Sequence, residues 1–158
     1  MSKEQLRVVP SDANESDPSR TTTLVHQQKI LSFSPEAVLA VGSGPLFRHV
    51  DPDGDMWRGK GDREFRAFIK FENAMPRTPL VLLNLAGIDA SHAQNLRLKL
   101  EVSGESREGF WATALTWGDS KIASVDVAWT AICQSTEARV AELTRSQDKK
   151  EKSADKSK

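Results

Sequence analysis

An all-β domain built of antiparallel strands, a sandwich or a barrel, is predicted by three observations. Between Phe65 and Ile132 five strand-like runs recur at intervals of roughly a dozen residues, joined by short polar turns. Several of them alternate apolar and polar residues with the period of two that marks one buried face. No helical pattern of crossover length separates them, so parallel βαβ units are excluded.

The chain's 158 residues accommodate one compact domain plus tails. Lys plus Arg and Asp plus Glu are balanced at 22 each. No global field therefore argues for nucleic acid or an anionic membrane as the partner, and recognition has to come from a local site. The single cysteine, Cys133, has no intramolecular disulfide partner and follows an apolar strand, where a free thiol behaves as a small buried hydrophobe. Met1 to Asp17 holds no apolar run of signal-peptide length, and nowhere do about 18 uncharged apolar residues occur together. The expectation is a soluble chain without membrane insertion, cytoplasmic or exported by a leaderless route.

Residues 1–23 are rich in Ser, Asp, Glu, Lys and Pro and bury too little apolar surface to offset their ordering entropy, so they read as a disordered tail. Residues 24–45 form a partly ordered extension. Hydrophobes reappear there from Leu24 to Val41, and Ser34-Pro35-Glu36 resembles a helix start with Ser34 as cap and Pro35 in the first turn. The Gly42-Ser43-Gly44-Pro45 cluster then reads as a break, with the domain beginning at Leu46 and running to Cys133.

Asp51, Asp53 and Asp55 alternate as calcium ligands do, but the register fails: Met56 stands where an EF-hand loop needs glycine and Asp62 where it needs a bidentate glutamate. A solvated turn is the better reading. The next loop, Trp57 to Asp62, alternates glycine with one aromatic, two cations and a carboxylate, a composition that suits either binding or a connecting turn with Trp57 covering the core edge.

Strands follow. In Phe65 to Phe71 the odd positions share a buried face, while Arg66 and Lys70 point away. Leu80 to Leu83 is apolar without interruption and needs cover on both faces, one from a second sheet and the other from another subunit. Leu96 to Val102 alternates, with Leu96, Leu98, Leu100 and Val102 inward. Phe110 to Thr116 and Ser124 to Ile132 form a hairpin across the polar turn Gly118 to Lys121; Trp129 belongs to the core, and Trp111, Leu115 and Trp117 share a face. A core of this size supplies only a few kcal/mol, so oligomerisation is the expected supplement. Residues 134–158 read as a short helix with Val140 and Leu143 on one side, followed by a disordered charged tail.

Phe71 with Pro79 to Leu83, Ile88-Asp89, Gln94 to Arg97, Gly109-Phe110, Thr116-Trp117 and Val127 to Trp129 together resemble the H-type lectin domain of snail agglutinins and of the carboxyl-terminal domains of discoidins. The loop Met56 to Glu64 is similar to the one preceding the first core strand in discoidin-like and bacterial members. The resemblance covers about half the chain, from Trp57 to Cys133. It implies a six-stranded antiparallel β-sandwich, assembled as a homotrimer, that binds glycans with terminal galacto-configured sugars such as N-acetylgalactosamine at shallow sites between subunits. It implies no catalysis, no cofactor and no metal.

By the same resemblance, sugar contacts come from Arg97, from Trp117 and the residue after it, Gly118, and from a carboxylate before the first strand, here Asp62. A galacto-configured sugar offers an axial hydroxyl, an equatorial neighbour and an apolar face, which call for bidentate donors, an acceptor carboxylate and a flat ring. Two positions depart from the pattern. Gly118 replaces the histidine found in snail agglutinins, and Ala123 replaces an aromatic that packs on the ligand; Asp119, Trp57 or Trp111 could substitute. The alternative function is a lectin fold kept as a trimerisation module that docks a protein partner through its flanking segments. An enzyme is disfavoured, because His26, His49 and His92 are scattered and His92 has no nucleophile in a recognisable spacing.

Overall fold

The computed structural model describes residues 22–34, 36–49 and 54–135. The elements run β1 (Thr23–Leu24), β2 (Gln27–Ser34), β3 (Ala37–Arg48), α1 (Asp55–Arg58), β4 (Arg63–Lys70), β5 (Leu80–Ala90), β6 (Lys99–Ser103), β7 (Gly109–Thr116) and β8 (Ile122–Gln134). They form two four-stranded sheets, ordered β1-β4-β7-β6 and β2-β3-β8-β5. All pairings are antiparallel except β1 with β4, which is parallel.

The class is all-β, as the periodicity predicts, but the described residues hold eight strands where six were expected. The five runs read from the sequence are β4 to β8. The three additional strands come from residues 23–48, so the ordered chain takes in Thr23, the last residue of the predicted tail. The Gly42 to Pro45 cluster does not break the chain but lies inside β3, which pairs with β8 from Ala37 to Arg48. Its glycines are there for space. A Cβ on Gly42 would stand 2.3 Å from the Trp129 ring, and one on Gly44 would stand 2.8 Å from the His26 ring. Nor does Ser34 cap a helix: its Oγ accepts a hydrogen bond from the Glu36 amide at 3.1 Å in the turn between β2 and β3. The hairpin wins over the helix because β8 offers β3 a long ladder of backbone partners, irregular only between Pro45 and Phe47. Residues 136–158, with the expected helix and charged tail, residues 1–21 of the N-terminal tail and residues 51–53 of the acidic turn lie outside the described residues, while Gln134 belongs to β8 rather than to the segment after the domain.

Between the sheets, Ala67, Ile69 and Phe71 lie with Phe110, Val125, Val127 and Trp129 in one buried cluster, and Phe65 packs against it. The Trp129 ring sits 5.5 Å from Phe71 and 5.6 Å from Phe110. Cys133 is buried in the same cluster, as expected of a small hydrophobe. Leu96 departs from its expected inward position and is exposed, because β6 begins only at Lys99 and the preceding residues turn with the loop.

On the second sheet, register places Leu31, Leu39, Ile132 and Leu80 side by side across all four strands. Leu80 and Leu82 are 64% and 55% exposed, while Val81 is buried. The consecutive leucines thus have cover on one face only within a single chain.

His26 lies where the chain passes from β1 in one sheet to β2 in the other. The indole N–H of Trp129 can only donate, so His26 Nδ1 accepts from it at 3.2 Å, and the proton on Nε2 is donated to the Pro45 carbonyl at 3.0 Å. Both nitrogens are satisfied in the neutral ring. Burial pushes the His26 pKa below its ordinary 6.5, against the smaller raising effects of the Pro45 carbonyl and the Asp126 charge. A depressed folded-state pKa means that below pH 6.5 the unfolded chain takes up a proton the folded chain resists. The denaturation midpoint should therefore be level above pH 6.5 and fall below it. His26→Gln should remove that slope, and a slope unchanged in the variant would show that another group is responsible.

Candidate functional site

The turn joining β7 to β8 is shaped by Gly118, whose φ of 67° is left-handed backbone that favours glycine. A Cβ there would also approach Arg97 Nη1 to 3.1 Å. Without that side chain the guanidinium lies over the turn and forms a salt bridge with Asp119. The hydrogen bond from Arg97 holds the exposed Asp119 carboxyl below its ordinary range, so the pair carries a donor group and an ionised acceptor side by side.

Buried Ser120 fixes the surrounding backbone. Its Oγ accepts from the Arg97 amide at 3.0 Å and donates to the Asn95 carbonyl at 2.6 Å. Its own carbonyl accepts from Arg63 Nη2 at 2.7 Å, and Arg63 also donates to the carbonyls of Gly59 and Gly61 at 2.6 and 3.2 Å. Thr116 Oγ1 donates to the Arg97 carbonyl at 2.7 Å, and the Gly61 amide to the Gly118 carbonyl at 2.9 Å. Three segments that are distant in sequence, 59–63, 95–97 and 116–121, are tied together in this way. Most of Arg63's donor capacity is spent on backbone carbonyls, which leaves it little to offer a ligand.

Beside this network lies an open cavity of about 420 Å³, lined by Asp62, Arg63, Glu64, Lys99, Leu115, Thr116 and Trp117. Trp117 is 43% exposed. The face that Trp111, Leu115 and Trp117 share is therefore the outward face of the first sheet, opposite Ala112 and Ala114 in the core. Two of the sequence-derived residues, Asp62 and Trp117, line the cavity. The other three, Arg97, Gly118 and Asp119, form the ion-pair cluster at the adjoining turn.

Of the residues that could make up for the departures, Asp119 is in place beside Arg97. Trp111 has its ring face covered by the Arg66 guanidinium, 4.4 Å from the centroid. Trp57 sits half-buried on α1 and does not line the cavity. Ala123 is buried in β8 and offers nothing to a surface ligand. Sequence reasoning missed Ser120 and Arg63. A serine in a polar turn and an arginine in a glycine-rich loop carry no signal of burial or of multiple carbonyl partners until the loops converge.

The H-type lectin domain family model matches residues 66–132, from β4 to near the end of β8. A relative from Fuscovulum blasticum, described as "ATP synthase subunits region ORF 7", is 37% identical over 91 residues, 58% of this chain and 79% of that one. That description states no activity. Two solved structures of discoidin II from Dictyostelium discoideum share the fold at 19% identity. The wild-type protein matches 62% of this chain and 37% of its own with a TM-score of 0.55. The native recombinant protein matches 63% and 38% with a TM-score of 0.56. The chain thus corresponds to little more than a third of discoidin II, and at this identity the likeness is one of fold.

Proposed function

Because the chain belongs to the H-type lectin family, we propose that it is a carbohydrate-binding lectin, without catalysis, for N-acetylgalactosamine or galactose-type sugars. The observation that carries the reading is the exposed Trp117 ring beside the preformed Arg97–Asp119 pair. A flat ring suits the apolar face of a galacto-configured pyranose, and adjacent guanidinium and carboxylate groups suit its neighbouring axial and equatorial hydroxyls. Asp62 supplies a further acceptor at the cavity, and Gly118 contributes backbone only. Asp119 stands in for the histidine that this chain lacks.

Such a site is shallow and individually weak, so useful binding requires several copies presented together. A homotrimer with sites at the junctions between subunits provides that. The apolar row Leu31, Leu39, Ile132 and Leu80 on the second sheet supports self-association, since an exposed apolar face of this extent marks an interaction surface.

Light scattering of the purified protein tests the assembly, and a glycan array competed with free N-acetylgalactosamine tests the specificity. The expected result is a trimer that retains galacto-terminated glycans and releases them to the free sugar. A trimer blind to every glycan would sink the lectin reading. It would leave the fold as a trimerisation module that docks a protein partner, the reading that Gly118 and Ala123 favour. A monomer would remove the between-subunit site.

A further inference from the structure

The cavity beside Trp117 extends past the ion-pair cluster along the outward face of the first sheet. Register defines its floor: Glu64 of β4 and Lys99 of β6 both pair with Leu115 of β7. Half-buried Leu115 therefore lies between an exposed carboxylate and an exposed ammonium on one face. These residues stand one side-chain repeat further down the sheet than Trp117, about 7 Å along the strand. Lys99 Nζ is paired with Glu101 at 2.5 Å, which balances its charge and leaves two of its three N–H groups unused. The Glu64 carboxylate has no ion pair or hydrogen bond among the described residues.

We propose that this stretch is a second saccharide subsite. It would hold the penultimate residue of a glycan whose terminal galacto-configured sugar lies against Trp117, a role that rests on the lectin reading above. A pyranose has an apolar C–H surface and a rim of hydroxyls that both donate and accept. Leu115 meets the first, Glu64 accepts from the rim and Lys99 donates to it. The cavity of about 420 Å³ is continuous from Trp117 and Asp62 to Glu64, Leu115 and Lys99, and its volume lies within the range of roughly 300–1,000 Å³ common for small-molecule sites. The charge pattern also selects. Lys99 is already neutralised by Glu101 and the Arg63 guanidinium is turned to backbone carbonyls, whereas the carboxylates Glu64 and Asp62 face the cavity, so an uncharged penultimate residue is accepted and a sulfated or carboxylated one is repelled.

Calorimetric titration of the wild-type protein tests this with three probes. They are N-acetylgalactosamine, a neutral disaccharide ending in N-acetylgalactosamine, and the same disaccharide sulfated on its second residue. The neutral disaccharide should bind about tenfold more tightly than the monosaccharide, the gain expected from one or two added hydrogen bonds. The sulfated form should lose that gain. Glu64→Ala and, independently, Leu115→Lys should bring the disaccharide down to the monosaccharide's affinity while leaving the monosaccharide's own Kd unchanged. Both positions face outward, and thermal unfolding verifies that each variant is folded. A disaccharide no tighter than the monosaccharide, or a gain that survives in both variants, overturns the subsite and leaves the lectin reading standing. Absence of binding by all three probes overturns that reading and the subsite with it.

Discussion

Arg97→Ala is expected to reduce binding of N-acetylgalactosamine by about 100-fold or more, beyond detection for a weak lectin site. Loss of a charged hydrogen-bonding partner costs on the order of 3 kcal/mol at the site. The variant also leaves Asp119 without its counter-ion, facing the ligand. The fold should barely respond. The side chains of the pair are 30% and 59% exposed, and solvent screens an ion pair as exposed as this one, so it adds little to stability. The ties that place this segment run through the Arg97 amide and carbonyl, which the substitution keeps. Arg97→Lys should remain well below wild type, because an ammonium cannot present two parallel N–H groups to a pair of hydroxyls. Titration calorimetry beside a thermal melt separates the effects. Binding retained within a fewfold of wild type would remove Arg97 from the site.

Trp129→Ala is expected to cost about 4 kcal/mol of stability, within the usual range for emptying a buried aromatic site. The ring is 1% exposed and packs on Phe71 and Phe110. Its removal also opens a void over Gly42 and deprives His26 Nδ1 of its donor. Against a total stability of roughly 5–15 kcal/mol for a domain, the variant should be largely unfolded or strongly shifted in a denaturant titration. Trp129→Phe keeps much of the packing and loses the N–H, so it should cost less. A Trp129→Ala midpoint close to wild type would contradict the packing described here.

Much of the core was legible because alternation is a local property. The inward set Phe65, Ala67, Ile69 and Phe71, and the burial of Val127 and Trp129, follow from residue type and a period of two. The uncovered face of Leu80 and Leu82 follows the same way, since they alternate with Val81 and successive residues of a strand point to opposite faces. The N-terminal hairpin was not legible. Gly42 and Pro45 carry strong local signals for a break, and only contact with β8 turns that segment into the inner strand of a sheet. At the candidate site, the arginine, tryptophan and carboxylate were proposed by resemblance, whereas the structural roles of Ser120 and Arg63 carried no signal, because their partners are backbone groups of other loops.

The sequence by itself determined an all-β chain, the inward face of its principal strands, and the residue types from which a sugar site could be made. Only the tertiary structure decided that residues 23–48 complete the sandwich, that Trp117 faces outward, and that Arg97 reaches Asp119 across Gly118. The reason is one of range. Side-chain alternation is set by neighbours along one strand, but glycine placement, the tautomer of His26 and the loop ties depend on groups far away in sequence. His26 and Trp129, in hydrogen-bond contact, are 103 positions apart.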